Sequence, residues 1–315
     1  MNRIEGDCAV GLRFTGDALP GLIAGIDDEL PRVSVTRAAE TDLDQRWSDA
    51  AAPELIFARN YADGRPFLRI ERDGSAGYRV WADGYGTHLI AGDGTECSSA
   101  FPEEPVWRGL RLLAAQAMPL MTALRGREVM HAAGVVVEGT LVGLVAASGT
   151  GKSATSANLM AQGGRFFADD VLPLDLASDA VIAHPGSRLV NVHARDLEAI
   201  AEERRGNIGV RVGESDKLHL EPEGHPGALP LGALVFLERR GDSAETTLAP
   251  LDDVPRRLLG NAFLPYLDLP TRLTRQLEIA AALAETVPLV RLRIAPGDDP
   301  ATVAGRIVEW VQTLS

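Results

Sequence analysis

The sequence predicts an α/β protein whose N-terminal part is a separate, mostly antiparallel β domain. Three observations carry this. From residue 129 onward, apolar runs of strand length alternate with segments of helical periodicity. Before residue 100 the apolar runs are short and are punctuated by Asp-Gly pairs. Between the two styles, an apolar strand pattern runs into Ala146-Ala147-Ser148-Gly149-Thr150-Gly151-Lys152-Ser153 and then into a helical pattern.

The elements follow in order. Leu55–Arg59, Pro66–Arg72 and Tyr78–Trp81 read as strands, and Gly84–Ala91 as a further one. Asp63-Gly64, Asp73-Gly74, Asp83-Gly84 and Asp93-Gly94 supply turns, because glycine takes the positive φ that tight hairpins need. Leu110, Leu113, Ala114, Ala117 and Leu120 recur at three- and four-residue spacing, which predicts a helix over 106–125 with a kink at Pro119. The expected division is 1–100 for the β domain, 101–128 for a connecting helix and 129–315 for the α/β domain. In the last, Val129–Val137 and Leu141–Ala146 read as a hairpin through Glu138-Gly139-Thr140. A helix over 152–162 stops at Gly163-Gly164. A strand over 165–168, a hairpin through Ser178-Asp179, a helix over 194–204 and a strand over 233–239 come next. Helices over 252–263 and 271–286, a strand over 289–294 and a helix over 300–314 complete the chain.

The 315 residues carry 31 Lys+Arg against 44 Asp+Glu, a net charge of −13. Residues 1–100 hold 10 basic and 17 acidic side chains, residues 101–200 hold 8 and 10, and residues 201–315 hold 13 and 17. The acidic balance excludes nucleic acid and anionic membrane as general partners, since both need a basic face. Cys8 and Cys97 lie far apart without metal-ligand spacing. No signal-peptide pattern and no apolar run of spanning length is present, so the expected location is the cytoplasm. Only two of the basic residues are lysines, Lys152 and Lys217.

Lys152 falls inside the motif. Gly149 and Gly151 let the backbone turn so that successive N–H groups face an anion, and the following helix adds its positive end. In such a loop the lysine reaches β- and γ-phosphates and the Ser153 hydroxyl ligates Mg²⁺. The pattern departs from its usual form at Ala146, which stands where the first glycine is usual. Downstream, Asp169 and Asp170 end the next strand, where a metal ligand and a proton acceptor are expected beside a phosphate loop. His131 precedes the hairpin that leads into the loop.

The run from Met130 to Leu174, with His131, the SGTGKS loop, the glycine-ended helix and Ala168-Asp169-Asp170, resembles the catalytic core of the HPr kinase/phosphorylase family. The resemblance covers residues 128–240 best and is absent from residues 1–100. It implies a P-loop kinase core of the type shared with phosphoenolpyruvate carboxykinases, ATP and Mg²⁺ as cofactors, and transfer of a phosphoryl group to a serine hydroxyl of a peptide or small protein. By that resemblance Ser148, Gly149, Thr150, Gly151, Lys152, Ser153 and Ala154 would hold the nucleotide, with Lys217 assisting. Ser153 and Asp170 would ligate the metal. Asp169, Asp170, Lys152 and His131 would serve the transfer, with Asp169 as the base. Arg188 is a further basic candidate. The stretch 188–206 does not match the signature tied to phosphorylase activity, so the likeness is greater to relatives found with peptide-modification systems, including kinases of lasso-peptide precursors. Residues 1–100 would then recognise the peptide, and the resemblance leaves homo-oligomerisation open. A small-molecule kinase of the same fold and a non-catalytic ATP sensor are the alternatives.

Overall fold

The computed structural model describes residues 3–23, 29–102, 104–178, 180–223, 227–239 and 245–314. The chain divides into two compact units: Met1–Val129 with Leu264–Arg272, and Met130–Phe263 with Leu273–Ser315. The helical segment after residue 100 and the later segment 264–272 thus both fall in the first unit.

The first unit contains β1 (Arg3–Ala9), β2 (Leu12–Asp17), β3 (Arg32–Arg37), α1 (Glu40–Ser48), β4 (Glu54–Asn60), β5 (Pro66–Asp73), β6 (Gly77–Ala82), β7 (Gly86–Ile90) and β8 (Glu96–Ala100). Their order in one sheet is β1-β2-β3-β8-β7-β6-β5-β4. The pairs β2–β3 and β3–β8 are parallel; the others are antiparallel. The strands expected over 55–59, 66–72, 78–81 and 84–91 are β4 to β7, a meander made by the Asp-Gly turns. Strands β1, β2, β3 and β8 and helix α1 lie outside the expected elements, although β3 alternates, with Val33 and Val35 buried between exposed Arg32, Ser34 and Thr36. Leu43 and Trp47 of α1 pack against Leu89 and Ala100.

The helical run is α2 (Val106–Leu112), a π-helical segment over Leu113–Ala117, and α3 (Met118–Leu124). The wide turn comes immediately before Pro119, whose missing N–H and ring disturb the regular ladder. Segment 264–272 is held in this unit by Arg272. Its guanidinium meets both Glu128 oxygens, at 3.2 and 3.1 Å, and donates to the carbonyls of Leu264 and Leu267. Tyr266 stacks on Phe57 with ring centroids 4.7 Å apart.

In the second unit, β9 (Glu128–Met130), which begins at its boundary, is followed by β10 (Ala133–Val137), β11 (Thr140–Ala146), α4 (Lys152–Ala161), β12 (Arg165–Ala168), β13 (Leu172–Leu176), β14 (Val181–Ala183), β15 (Val190–Val192), α5 (Ala194–Glu198) and α6 (Glu202–Arg205). Then come β16 (Val210–Glu214), β17 (Leu218–Glu221), β18 (Leu229–Arg239), β19 (Thr247–Pro250), α7 (Val254–Leu259), α8 (Pro270–Thr286), which belongs to this unit from Leu273 onward, β20 (Leu289–Ile294) and α9 (Pro300–Gln312). The main sheet runs β12-β10-β11-β18-β14-β13-β9, with β20 paired to β18 and β19. Its centre is parallel, β11 to β18 and β18 to β20. Strands β15-β17-β16 form a second, three-stranded sheet.

Alternation along the central strands builds a core on each face. Val135, Val142 and Leu144 face Leu159, Met160, Val303 and Ile307. Val136, Leu141 and Val145 face Phe167, Ile279 and Leu283. A parallel sheet covered on both faces is the arrangement its continuous apolar strands demand. The β10–β11 hairpin closes through Glu138 and Gly139, both at positive φ (49° and 81°), with Val137 opposite Thr140. This is the tight turn whose twist suits the strands.

Two expected elements are interrupted. The strand over 129–137 breaks at His131, whose N–H donates to the Asn261 carbonyl at 2.7 Å instead of continuing the ladder. The helix over 194–204 splits into α5 and α6, and the Arg205 side chain takes up the freed carbonyls of Glu198 and Ile200 at 2.9 and 2.8 Å. The hairpin expected through Ser178-Asp179 joins β13 and β14, and Asp179 lies outside the described residues.

Two tests follow for the first unit. Arg272→Met strands a buried carboxylate and two carbonyls, so urea denaturation should show a loss of about 3–5 kcal/mol. A loss no larger than that of a surface pair, about 1 kcal/mol or less, would contradict it. His88 is fully buried, and burial, assisted by the Arg37 charge, lowers it to about 3. It is neutral in the folded protein, while the unfolded chain takes up its proton near pH 6.5. Stability from this site is therefore complete above about pH 6.5 and is lost as pH falls towards about 3. Thermal midpoints across that window should fall less for His88→Gln than for the wild type.

Candidate functional site

The candidate site lies in the second unit, where β11 ends. Hydrogen bonding from Thr150 N–H to the Ala147 carbonyl, 3.2 Å, curls the connecting loop. Gly149 and Gly151 both adopt positive φ, 81° and 108°, which any side chain there would strain. Ala147, Ser148 and Gly149 are exposed. Helix α4 begins at Lys152 without a side-chain cap, and its first helical bond runs from Thr155 N–H to the Gly151 carbonyl. The N–H groups of Gly151, Lys152, Ser153 and Ala154 therefore precede the ladder, which concentrates positive potential at the loop.

Register brings a neighbour to the loop. Parallel pairing sets Ala146 opposite Leu237, so Glu238 and Arg239 follow at the same sheet edge. Arg239 Nε donates to the Thr150 carbonyl at 3.1 Å.

Lys152 is buried, and its ammonium is 2.6 Å from Asp170 Oδ1 and 3.3 Å from His131 Nε2. His131 Nδ1 lies 3.1 Å from the Asp170 backbone carbonyl. A carbonyl only accepts, so Nδ1 carries the proton and Nε2 offers its lone pair to Lys152. Burial, and then the Lys152 charge, lower the His131 pKa below the ordinary histidine value. Asp170 itself sits at φ 62°, a conformation that aspartate tolerates better than most residues.

The two aspartates are placed differently. Burial acts to raise Asp170, but Lys152, by charge and hydrogen bond, with help from His131 and Lys217, outweighs it and holds the carboxyl below its usual range. Asp169 accepts two hydrogen bonds on Oδ2 from Asn191, from the backbone N–H at 2.8 Å and the side-chain amide at 3.0 Å. Burial first, then the negative charge of Asp170, push it up to about 6. The acidic pair is thus split into a firmly ionised member and one that titrates near neutrality.

Asn191 leads into residues for which the sequence offered no motif. Opposite it in the β15–β17 register stands His219, wholly buried, with Nδ1 2.8 Å from Asn191 Oδ1. His219 Nε2 is 3.0 Å from Ser215 Oγ. Asn191 is 22 residues from Asp169 and 28 from His219, so only strand pairing could reveal the link. Of the predicted residues, Lys152, His131 and Asp170 are in mutual contact, and Asp169 adjoins them. Lys217, in the turn after β16, acts on Asp170 through its charge. Arg188 instead pairs with Glu221 at 3.2 Å.

Among the described residues, no group of three or more His, Cys, Asp or Glu is arranged to hold a metal ion. The chemistry nevertheless fits Mg²⁺ held with a nucleotide, an ion that takes one or two protein oxygens and draws its other ligands from phosphates and water. Asp170 already receives a cation, the Lys152 ammonium, and Ser153 stands in the first turn of α4. No helix among the described residues is long and apolar enough to cross a membrane.

No family model matches the chain, and no curated protein matches it. Among solved structures it is similar to the Hpr(Ser) kinase/phosphatase from Coxiella burnetii, with 11% identity over 59% of this chain and 92% of that chain and a TM-score of 0.33.

The split between the aspartates predicts two opposite shifts. Asp170→Asn removes a negative neighbour and should lower the Asp169 pKa from about 6. Asn191→Ala removes a hydrogen bond that favours the carboxylate and should raise it. Carboxyl ¹³C titration, with Asp169→Asn to identify the resonance, reads both; shifts of the same sign would contradict the assignment.

Proposed function

We propose that the second unit is an ATP- and Mg²⁺-dependent phosphotransferase that moves the γ-phosphoryl group to a serine hydroxyl of a peptide or small protein. The observation that carries this reading is the meeting of Lys152 with Asp170 and His131 at the start of α4, beside a glycine loop that leads its N–H groups into the helix. The resemblance of residues 130–174 to HPr-kinase-like cores supports the same reading.

The residues divide the work. The N–H groups at the head of α4 receive the phosphates, and Lys152 turns from Asp170 to the β- and γ-oxygens. Asp170 and Ser153 would hold Mg²⁺, which would supply neutralisation of charge on the phosphates. Arg239, beside Thr150, adds a second cation at the loop. Asp169 accepts the proton of the attacking hydroxyl. A carboxylate that titrates at about 6 is a better base than an ordinary aspartate and is still ionised at neutral pH. Asn191 orients it by holding Oδ2, which leaves Oδ1 for the proton.

The acceptor class follows from the same resemblance: precursor peptides of modification systems, lasso precursors included. The acidic region 1–100, with 17 acidic against 10 basic residues, would favour a basic peptide.

Purified protein given ATP·Mg²⁺ and a library of serine-containing peptides should transfer γ-phosphate. Asp169→Asn should slow transfer by about 10²–10⁴-fold while nucleotide binding persists. Lys152→Ala should abolish transfer, and a wild-type rate in that variant would refute the site. Because Asp169 must be ionised to act, transfer should decline as the pH falls far enough to protonate it.

A further inference from the structure

Ser215, His219 and Asn191 form a second hydrogen-bonded chain that the transfer scheme above does not use beyond Asn191. Its geometry decides its protons. Asn191 is fixed by Asp169: the amide NH₂ faces the carboxylate at 3.0 Å, so the amide oxygen faces His219. An amide oxygen only accepts, so His219 Nδ1 carries a hydrogen. In the neutral imidazole Nε2 is then the acceptor that faces Ser215 Oγ at 3.0 Å. Hydroxyl, imidazole and an amide that orients the imidazole are the parts of an activated serine nucleophile. His219 is 0% exposed, so its ring is held in one pose, whereas Ser215 is only half-buried. Asp216 Oδ1, 2.8 Å from Ser215 Oγ, is a second acceptor for the same hydroxyl.

The location adds a reason. Ser215 and Lys217 close one turn, in which Ser215 N–H donates to the Lys217 carbonyl at 2.8 Å, and the charge of Lys217 acts on Asp170. Asn191 touches both the proposed base of the kinase site and the imidazole behind Ser215.

We propose that Ser215 is a phosphoryl acceptor within this protein, a self-phosphorylation site with His219 as its own base. This rests on the phosphotransferase reading. In the step, Ser215 Oγ forms a bond to the γ-phosphorus and the bond from that phosphorus to the β–γ bridging oxygen breaks. ADP leaves, and the hydroxyl proton passes to His219 Nε2. The product places about −1.5 to −2 of charge beside Lys217, where it competes with bound nucleotide for that ammonium.

The test is tandem mass spectrometry of the full chain incubated with ATP·Mg²⁺ and no peptide, with ADP measured in parallel. Phosphate is expected on Ser215, and on neither Ser215→Ala nor Lys152→Ala at that position. His219→Gln keeps a donor and an acceptor but cannot take a proton, so phosphate should appear about 10²–10⁴-fold more slowly, the range of general-base catalysis. A thermal midpoint near wild type checks that this variant folds. ADP formation or peptide phosphorylation with Ser215 unmodified overturns the proposal and leaves the kinase reading standing. Wild-type modification of Ser215 in His219→Gln overturns the role of His219. No nucleotide turnover under any condition removes the kinase reading and this proposal together.

Discussion

The buried ammonium of Lys152 is the constraint around which the site is organised. A charge removed from water must be paired and hydrogen-bonded, or it is given up. Here one carboxylate oxygen of Asp170 and one imidazole nitrogen of His131 meet that demand, at 2.6 and 3.3 Å. Much of the local fold serves this arrangement. The strand expected over 129–137 breaks where His131 turns aside, Asp170 adopts a left-handed backbone, and its carbonyl holds the other nitrogen of His131.

From that pairing comes the asymmetry of the two aspartates. With Asp170 committed to the ammonium, Asp169 feels burial and a negative neighbour. Adjacent residues of one type thus acquire different chemistry: one suited to a cation, one suited to a proton. Asn191, carried on β15 of the small sheet β15-β17-β16, holds one oxygen of the second.

The central elements of the second unit were legible because local sequence and tertiary demand agree there. β10, and β11 after Thr140, are apolar and buried on both faces, and α4 follows a glycine loop and ends before Gly163-Gly164. The meander β4 to β7 was legible for its Asp-Gly turns. Strands β1 to β3, β8 and β15 to β17 were not. Several of their ladders join distant segments, such as Arg37 with Ser99 and Asn191 with His219, which no local signal reports.

The sequence by itself marked the glycine loop and the lysine at its end, which are neighbours in the chain, and the acidic pair and His131 through a resemblance that spans residues 130–174. Only the tertiary structure decided what surrounds them. Asn191, His219, Ser215 and Arg239 reach the site through strand register, which depends on pairing partners far away in sequence. The division of roles between Asp169 and Asp170 is likewise a product of burial and of where Lys152 points. Two adjacent carboxylates are chemically identical until a fold desolvates them unequally.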